Sequence, residues 1–136
     1  MERDLGMSES FGLDVNMLVR VLNYLNTGVY LTDKQRRIIL WNRKAEEITG
    51  YRAEEVMGRA CHDDVLSHIS KDGKKLCSRE LCPLYRSIET GVASDEPVVV
   101  YARNHDGKRI AVSVSVAPLQ DDSGNIIGGI EIFRDV

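Results

Sequence analysis

Cys61, Cys77 and Cys82 are the only cysteines in the 136-residue chain, and they share one central stretch with two of its three histidines, His62 and His68. Thiolates and imidazoles gathered in this way can ligate soft or borderline metals, and thiolates are also redox nucleophiles. Cys77-x4-Cys82 lies at the wide end of metal-ligand spacing, Cys61 would add a third thiolate, and His68 would complete a Cys3His set. Zinc or an iron–sulfur cluster is the cofactor such donors take; an iron left open or held by His68 would suit redox or gas sensing. Helix geometry constrains the fourth ligand. Were residues 61–68 one continuous helix, Cys61 and His68 would be separated by about 10 Å of rise, too far to share one ion. Either the helix breaks near Ser67 or His68 is not a ligand, and Asp64, one turn from Cys61, could hydrogen-bond a ligand instead. Two other readings of the thiols stay open. One is a redox switch, a disulfide from Cys77 to Cys82 or Cys61, with Arg59 and Arg79 favouring the thiolate. The other is packing as small buried hydrophobes.

The remaining reactive residue types read as surface or core. His105 falls at a hairpin tip beside Asp106-Gly107 and is expected to be solvated. Glu46-Glu47 and Glu54-Glu55 are paired carboxylates on short surface helices, a solvated face rather than an acid/base pair. Tyr30 and Trp41 lie on adjacent strands as packing residues that could line a pocket. No glycine-rich phosphate loop or Ser/His/Asp arrangement is present, so the chain is expected not to be an enzyme. A net charge of -3 with mixed surface charge offers no basic footprint for nucleic acid. Apolar runs such as Val98-Val-Val100 fall far short of a membrane span, and the charged, polar start Met1-Glu-Arg-Asp-Leu-Gly6 has no signal-peptide pattern. An odd cysteine count without a leader points to a cytoplasmic chain with free or ligating thiols.

The pattern of elements divides the chain into a flexible lead-in over residues 1–13, an N-terminal capping helix over 14–26 and one domain over 27–136. Asp14 is placed to cap a helix whose Val15, Leu18, Leu22 and Leu25 share a face, with Met17, Val21 and Tyr24 widening the stripe. That stripe predicts a homodimer through Val15, Leu18, Leu22 and Leu25. Strands are expected over 29–32 and 37–41, then a helix from Arg43 capped by Asn42 and ended by Gly50. A short helix over 51–57 is stopped by Gly58, and a longer one covers 78–90. Three strands over 96–103, 108–119 and 126–135 follow, joined by Asn104-His-Asp-Gly107 and Gln120-Asp-Asp-Ser-Gly124 turns. In the middle strand Ile110, Val112, Val114 and Val116 point one way and Ala111, Ser113, Ser115 and Ala117 the other. The small Ala/Ser face leaves room for something to approach, either helices or a packed neighbour, and Gly128-Gly129 permits close backbone approach or a bulge. The whole reads as α+β, an antiparallel sheet with helices on one face.

Six segments in order give this chain a family likeness: Thr27-Gly-Val-Tyr-Leu-Thr-Asp33, Ile38-Ile-Leu-Trp-Asn42, Ala45-Glu-Glu-Ile-Thr-Gly-Tyr51, Glu54-Glu-Val-Met-Gly-Arg59, Asp106-Gly-Lys-Arg-Ile110 and Gly124-Asn-Ile-Ile-Gly-Gly129. Over residues 14–136 the chain resembles the PAS domain. The resemblance implies a five-stranded antiparallel sheet of order 2-1-5-4-3, wrapped by helices that close a small pocket. It also implies a sensory or protein-interaction module regulating an attached effector domain or partner protein. Tyr30, Trp41, Ser113 and Ser115 are the residues expected to contact a pocket ligand. Gly58-Arg-Ala-Cys61, His68, Asp72-Gly73, Leu76-Cys77 and Cys82-Pro-Leu84 are similar to a cysteine-bearing PAS subgroup that precedes diguanylate cyclases and occurs in sigma-54-type activators. The ending Gly129-Ile-Glu-Ile-Phe-Arg-Asp-Val136 is similar to the exit strand of such domains. The chain stops where a connecting helix would begin, as an excised fragment or a stand-alone domain would. Gly58-Arg-Ala-Cys61 also resembles the flavin-adduct motif of LOV photoreceptors. However, His62-Asp-Asp64 does not match, and the later strands lack the amides that hold a flavin ring. Haem sensors of this fold often carry a histidine on the long helix, and residues 78–90 have none, which argues against haem unless His62 or His68 substitutes. A cofactor-free structural dimerisation module is the competing reading.

Overall fold

Helix α1 (Val15–Tyr24) begins where extended Asp14 accepts a hydrogen bond from the Met17 N–H at 3.0 Å, so the expected N-cap is in place. The computed structural model describes residues 14–60, 65–76 and 81–136; the lead-in over 1–13 lies outside them. After α1 come β1 (Gly28–Asp33), β2 (Ile38–Trp41), α2 (Arg43–Thr49) and α3 (Ala53–Val56). The second half holds α4 (Pro83–Thr90), β3 (Val98–Arg103), β4 (Arg109–Gln120) and β5 (Ile126–Asp135). The five strands form one antiparallel sheet of order β2-β1-β5-β4-β3, as the family resemblance implies.

Asn42 joins three elements. Its Oδ1 caps α2 by accepting from the Ala45 N–H at 3.0 Å and also accepts from the Val29 N–H of β1 at 2.9 Å. Its Nδ2 donates to the Leu22 carbonyl at the end of α1 and to the Thr27 carbonyl. One buried amide therefore fills its hydrogen-bonding capacity and fixes α1 against the sheet.

Alternation decides what faces the helices. Val112, Val114 and Val116 of β4 are buried on the inner face with Tyr30, Trp41 and Phe133, whereas Ser113 and Ser115 turn to the outer face and are only half-buried. The four residues expected to contact a ligand therefore do not share a pocket. Tyr30 and Trp41 face inward, and the two serines are displaced to the other side by a period of two. The Ala/Ser face is an outer surface, not the floor of a site.

Helix α4 is shorter than expected. Cys82 is extended, as a residue before proline prefers, and Pro83 occupies the first helical position, so α4 starts there, while residues 78–80 of the expected span lie outside the described residues. Its Leu84 and Ile88 press on β5 at Gly129, where an added Cβ would lie 2.6 Å from Leu84 Cδ1 and 3.1 Å from Ile88. At Gly128 a Cβ would meet the Thr32 carbonyl oxygen at 1.8 Å. Both glycines are thus imposed by close approach, as the sequence anticipates. Residues 65–76 cover the β3 edge. Ile69 and Tyr101 exchange two backbone hydrogen bonds at 2.8 and 2.9 Å, and the Arg103 N–H donates to the Leu66 carbonyl. Replacing Gly129 with valine should lower stability by about 1–3 kcal/mol through overpacking against α4. Urea unfolding of the two proteins at one pH measures it, and an unchanged midpoint would refute the contact.

Candidate functional site

The inner face of the sheet carries an ionisable side chain at its centre. Glu131 on β5 is directly opposite Tyr30 of β1 on one side and Val116 of β4 on the other, and Tyr30 in turn pairs with Trp41 of β2. Glu131 is 3% exposed and its Oε2 has no hydrogen-bond partner. Thr32, two residues along β1 on the same face, has a fully buried Oγ1 that also lacks a partner. Neighbours on one face of an antiparallel pair lie within about 8 Å of each other, so these atoms form one polar patch in an apolar floor. The floor is aromatic. The Tyr30 and Trp41 rings are 5.3 Å apart, Phe133 stands edge-on to Tyr30 at 6.1 Å, and Trp41 Nε1 donates to the Tyr51 carbonyl.

His68 closes this patch from above. Ser67 adopts a positive φ of 45°, which breaks any helix there and turns the chain onto the β3 edge. That turn brings His68 Nε2 to 3.6 Å from Glu131 Oε2, with side-chain exposures of 12% and 4%. Burial pushes the Glu131 carboxyl up to about 8, opposed by hydrogen bonding from Tyr30. Burial, aided by the positive charge of Arg109, pushes the His68 imidazole down to about 4. Near neutral pH the pair is therefore a carboxylic acid beside a neutral imidazole. Together they offer donors and acceptors to a polar ligand without a fixed net charge.

The other candidate residues fall elsewhere. Cys61 and Cys77 lie outside the described residues, as do His62, Asp64 and Arg79. Cys82 is buried and unpaired, and its Sγ accepts from the Tyr85 N–H at 3.4 Å as the N-cap of α4. Among the described residues no three His, Cys, Asp or Glu side chains gather as metal ligands do. His105 is exposed at the hairpin tip as expected, and it also makes contacts there. Its N–H donates to the Thr49 carbonyl, its ring meets Tyr51 edge-on at 5.1 Å, and its Nε2 lies 3.3 Å from Glu55 Oε2. The carboxylates expected to be an idle solvated face act as helix caps: Glu46 accepts from the Ala53 N–H and Glu55 from the Arg52 N–H, each at 2.7 Å. Glu131 escapes the sequence reading, yet it has a signal. It shares inward parity with Gly129 and Phe133, where an apolar residue belongs.

A family model described as a PAS domain matches residues 26–136. The chain is a PAS domain. Phytochrome B-2 of Glycine max is 27% identical over 120 residues, which cover 88% of this chain and 10% of the phytochrome. The PAS domain thus spans about a tenth of that relative's length. The PAS domain of a Colwellia psychrerythraea protein superposes with a TM-score of 0.71 at 18% identity, covering 90% of this chain and 96% of the other. A structure of VqmA, a Vibrio cholerae protein, bound to DPO gives a TM-score of 0.68 at 20% identity, covering 90% and 57%. Identities this low carry the fold. No helix among the described residues is long and apolar enough to cross a membrane.

A raised carboxyl pKa has a direct consequence for stability. The unfolded chain releases the Glu131 proton near its ordinary value of 4.5, while the fold retains it to about 8, so Glu131 lowers stability as pH rises between those values. Glu131→Gln should therefore be more stable than the parent at pH 8, by on the order of 3 kcal/mol, with the difference vanishing near pH 4.5. Chemical denaturation across that range reads it. A constant offset would rule out a buried neutral acid.

Proposed function

We propose that this PAS domain is a non-catalytic sensor that reads a small polar ligand against the Glu131–His68 pair and regulates an attached or partner effector. One observation carries the reading: a buried carboxyl with an unpartnered oxygen stands on the central strand, with a histidine 3.6 Å away and Thr32 beside it. Buried polar atoms without partners cost stability, and a ligand that hydrogen-bonds them recovers it. VqmA, which shares this fold over 57% of its chain, has been seen bound to DPO, and that supports a ligand-binding reading here. Binding would be transmitted by population shift, because the strand that carries Glu131 also leads to the chain's C-terminal end. Native mass spectrometry of freshly purified protein tests this. A bound small molecule is expected in the parent and at least tenfold less of it in Glu131→Leu. Equal occupancy in both would sink the assignment.

The apolar stripe of α1 supports homodimerisation. Val15, Leu18, Val21 and Leu25 are exposed and Leu22 is half-buried, leaving a face that no other described element covers. Leu18→Glu should convert a dimer to a monomer by light scattering, and an unchanged mass would remove α1 from the interface. The cysteines support a second reading, a zinc or iron–sulfur site in the manner of the cysteine-bearing PAS subgroup. Metal analysis of anaerobically purified protein decides it, and substoichiometric zinc, iron and sulfide would end it.

A further inference from the structure

The hairpin between β1 and β2 buries an arginine that no described residue neutralises. Arg36 is 7% exposed, and its Nη1 is fully buried without a hydrogen-bond partner. No ion pair to its guanidinium forms among the described residues. Its one described side-chain partner is the Tyr85 ring of α4, with the guanidinium carbon 5.0 Å from the centroid. Its backbone is also held in the left-handed region, at φ 64°, where a side chain other than glycine is strained. A buried cation is costly unless it is paired, and a cation-π contact alone is a weak substitute for a counter-charge.

The place to which Arg36 reaches is itself electropositive. Tyr85 lies in the first turn of α4, and a long helical side chain leans back toward the helix N-terminus. The guanidinium therefore stacks on a side chain of that first turn. No acidic residue stands in that first turn, and the cap is the Cys82 sulfur at 3.4 Å, a weak acceptor. A cation added to a helix N-terminus is unfavourable, and an anion between the two relieves both.

From this placement we infer that Arg36 and the first turn of α4 form an oxyanion-binding site, one that takes a carboxylate or phosphate group. The planar guanidinium suits either through paired N–H donors while its face rests on Tyr85. This site goes beyond the ligand reading at Glu131 and does not rest on it. The charge of Arg36 recognises an anion, whereas the Glu131–His68 pair recognises a polar group near neutrality.

The experiment is a thermal-unfolding titration of the full chain in a chloride buffer of fixed ionic strength. Inorganic phosphate, acetate and succinate form separate arms, so that the phosphate and carboxylate sources are distinguished. The parent should show a saturable rise in Tm of several degrees in at least one arm. Arg36→Gln, which keeps much of the stem but removes the charge, should bind that anion at least tenfold more weakly. Without oxyanion it should melt at the parent's temperature or above it, because an uncompensated charge has been removed. Arg36→Lys should fall between the two. Equal responses in the parent and Arg36→Gln would overturn the inference, as would a parent indifferent to all three anions. A parent without any anion response whose Arg36→Gln variant loses bound metal would assign the arginine to the thiolates instead, and that also overturns it. If Arg36→Gln does not fold, the Arg36 Nε–H resonance of the parent decides. A saturable shift with phosphate or carboxylate supports the site, and no shift refutes it.

Discussion

The contact between β5 and α4 constrains everything around it. Leu84 and Ile88 can settle on the sheet only because Gly129 presents no side chain, and Gly128 must likewise clear the Thr32 carbonyl. Once α4 is seated there, its N-terminus is fixed near the β1–β2 hairpin and its buried face covers the inner surface of the central strand. Two residues further along β5 the same inward parity delivers Glu131. Close packing and the polar patch are thus consequences of one strand's alternation. A shift of one residue in register would put Glu131 in solvent and Ile130 beneath the helix.

A carboxyl in such a position is tolerated because it can stay protonated. Its neighbours are aromatic and aliphatic, Tyr30 donates toward it, and His68 is held neutral by the same burial. The cost falls on stability at higher pH, not on the shape of the sheet. Marginal stability at a site is commonly the mark of function, since a core built only for packing would place a hydrophobe at that point.

Much of the framework was legible in the sequence. Asp14 and Asn42 were readable as caps because a side-chain acceptor just before an apolar periodic run has few other roles. The hairpins at Asn104 and Asp121 were readable because each side chain accepts from backbone N–H groups two and four residues on, followed by a glycine with positive φ. Less legible were features set by contacts distant in sequence. The start of α4 at Pro83 follows a local rule, but a helix pattern running back to 78 obscured it. The contacts of His105, an exposed residue, were hidden because its partners, Thr49, Tyr51 and Glu55, lie some fifty residues away. Glu131 sat inside a strand motif whose glycines drew attention, and its inward parity with Gly129 and Phe133 was not drawn out. Ser113 and Ser115 were assigned to a ligand for their chemistry, although the alternation of β4 already placed them opposite Val114.

Arg36 shows why composition alone misses such features. In sequence it belongs to a polar turn, Asp33-Lys34-Gln35, where arginine is ordinary. Asp33 accepts from the N–H groups of Gln35 and Arg37 and pairs with the Arg37 guanidinium at 2.7 Å, so the one acidic residue of the hairpin is already engaged. Arg36 is then left to fold inward over Tyr85 without a carboxylate partner among the described residues. A turn with one acid and two adjacent arginines can neutralise only one of them locally. The inward arginine must find its counter-charge elsewhere, and the weakly capped start of α4 is where an anion would serve two positive ends at once. The same hairpin thereby links a structural turn to a recognition point, through a choice of which arginine keeps the aspartate.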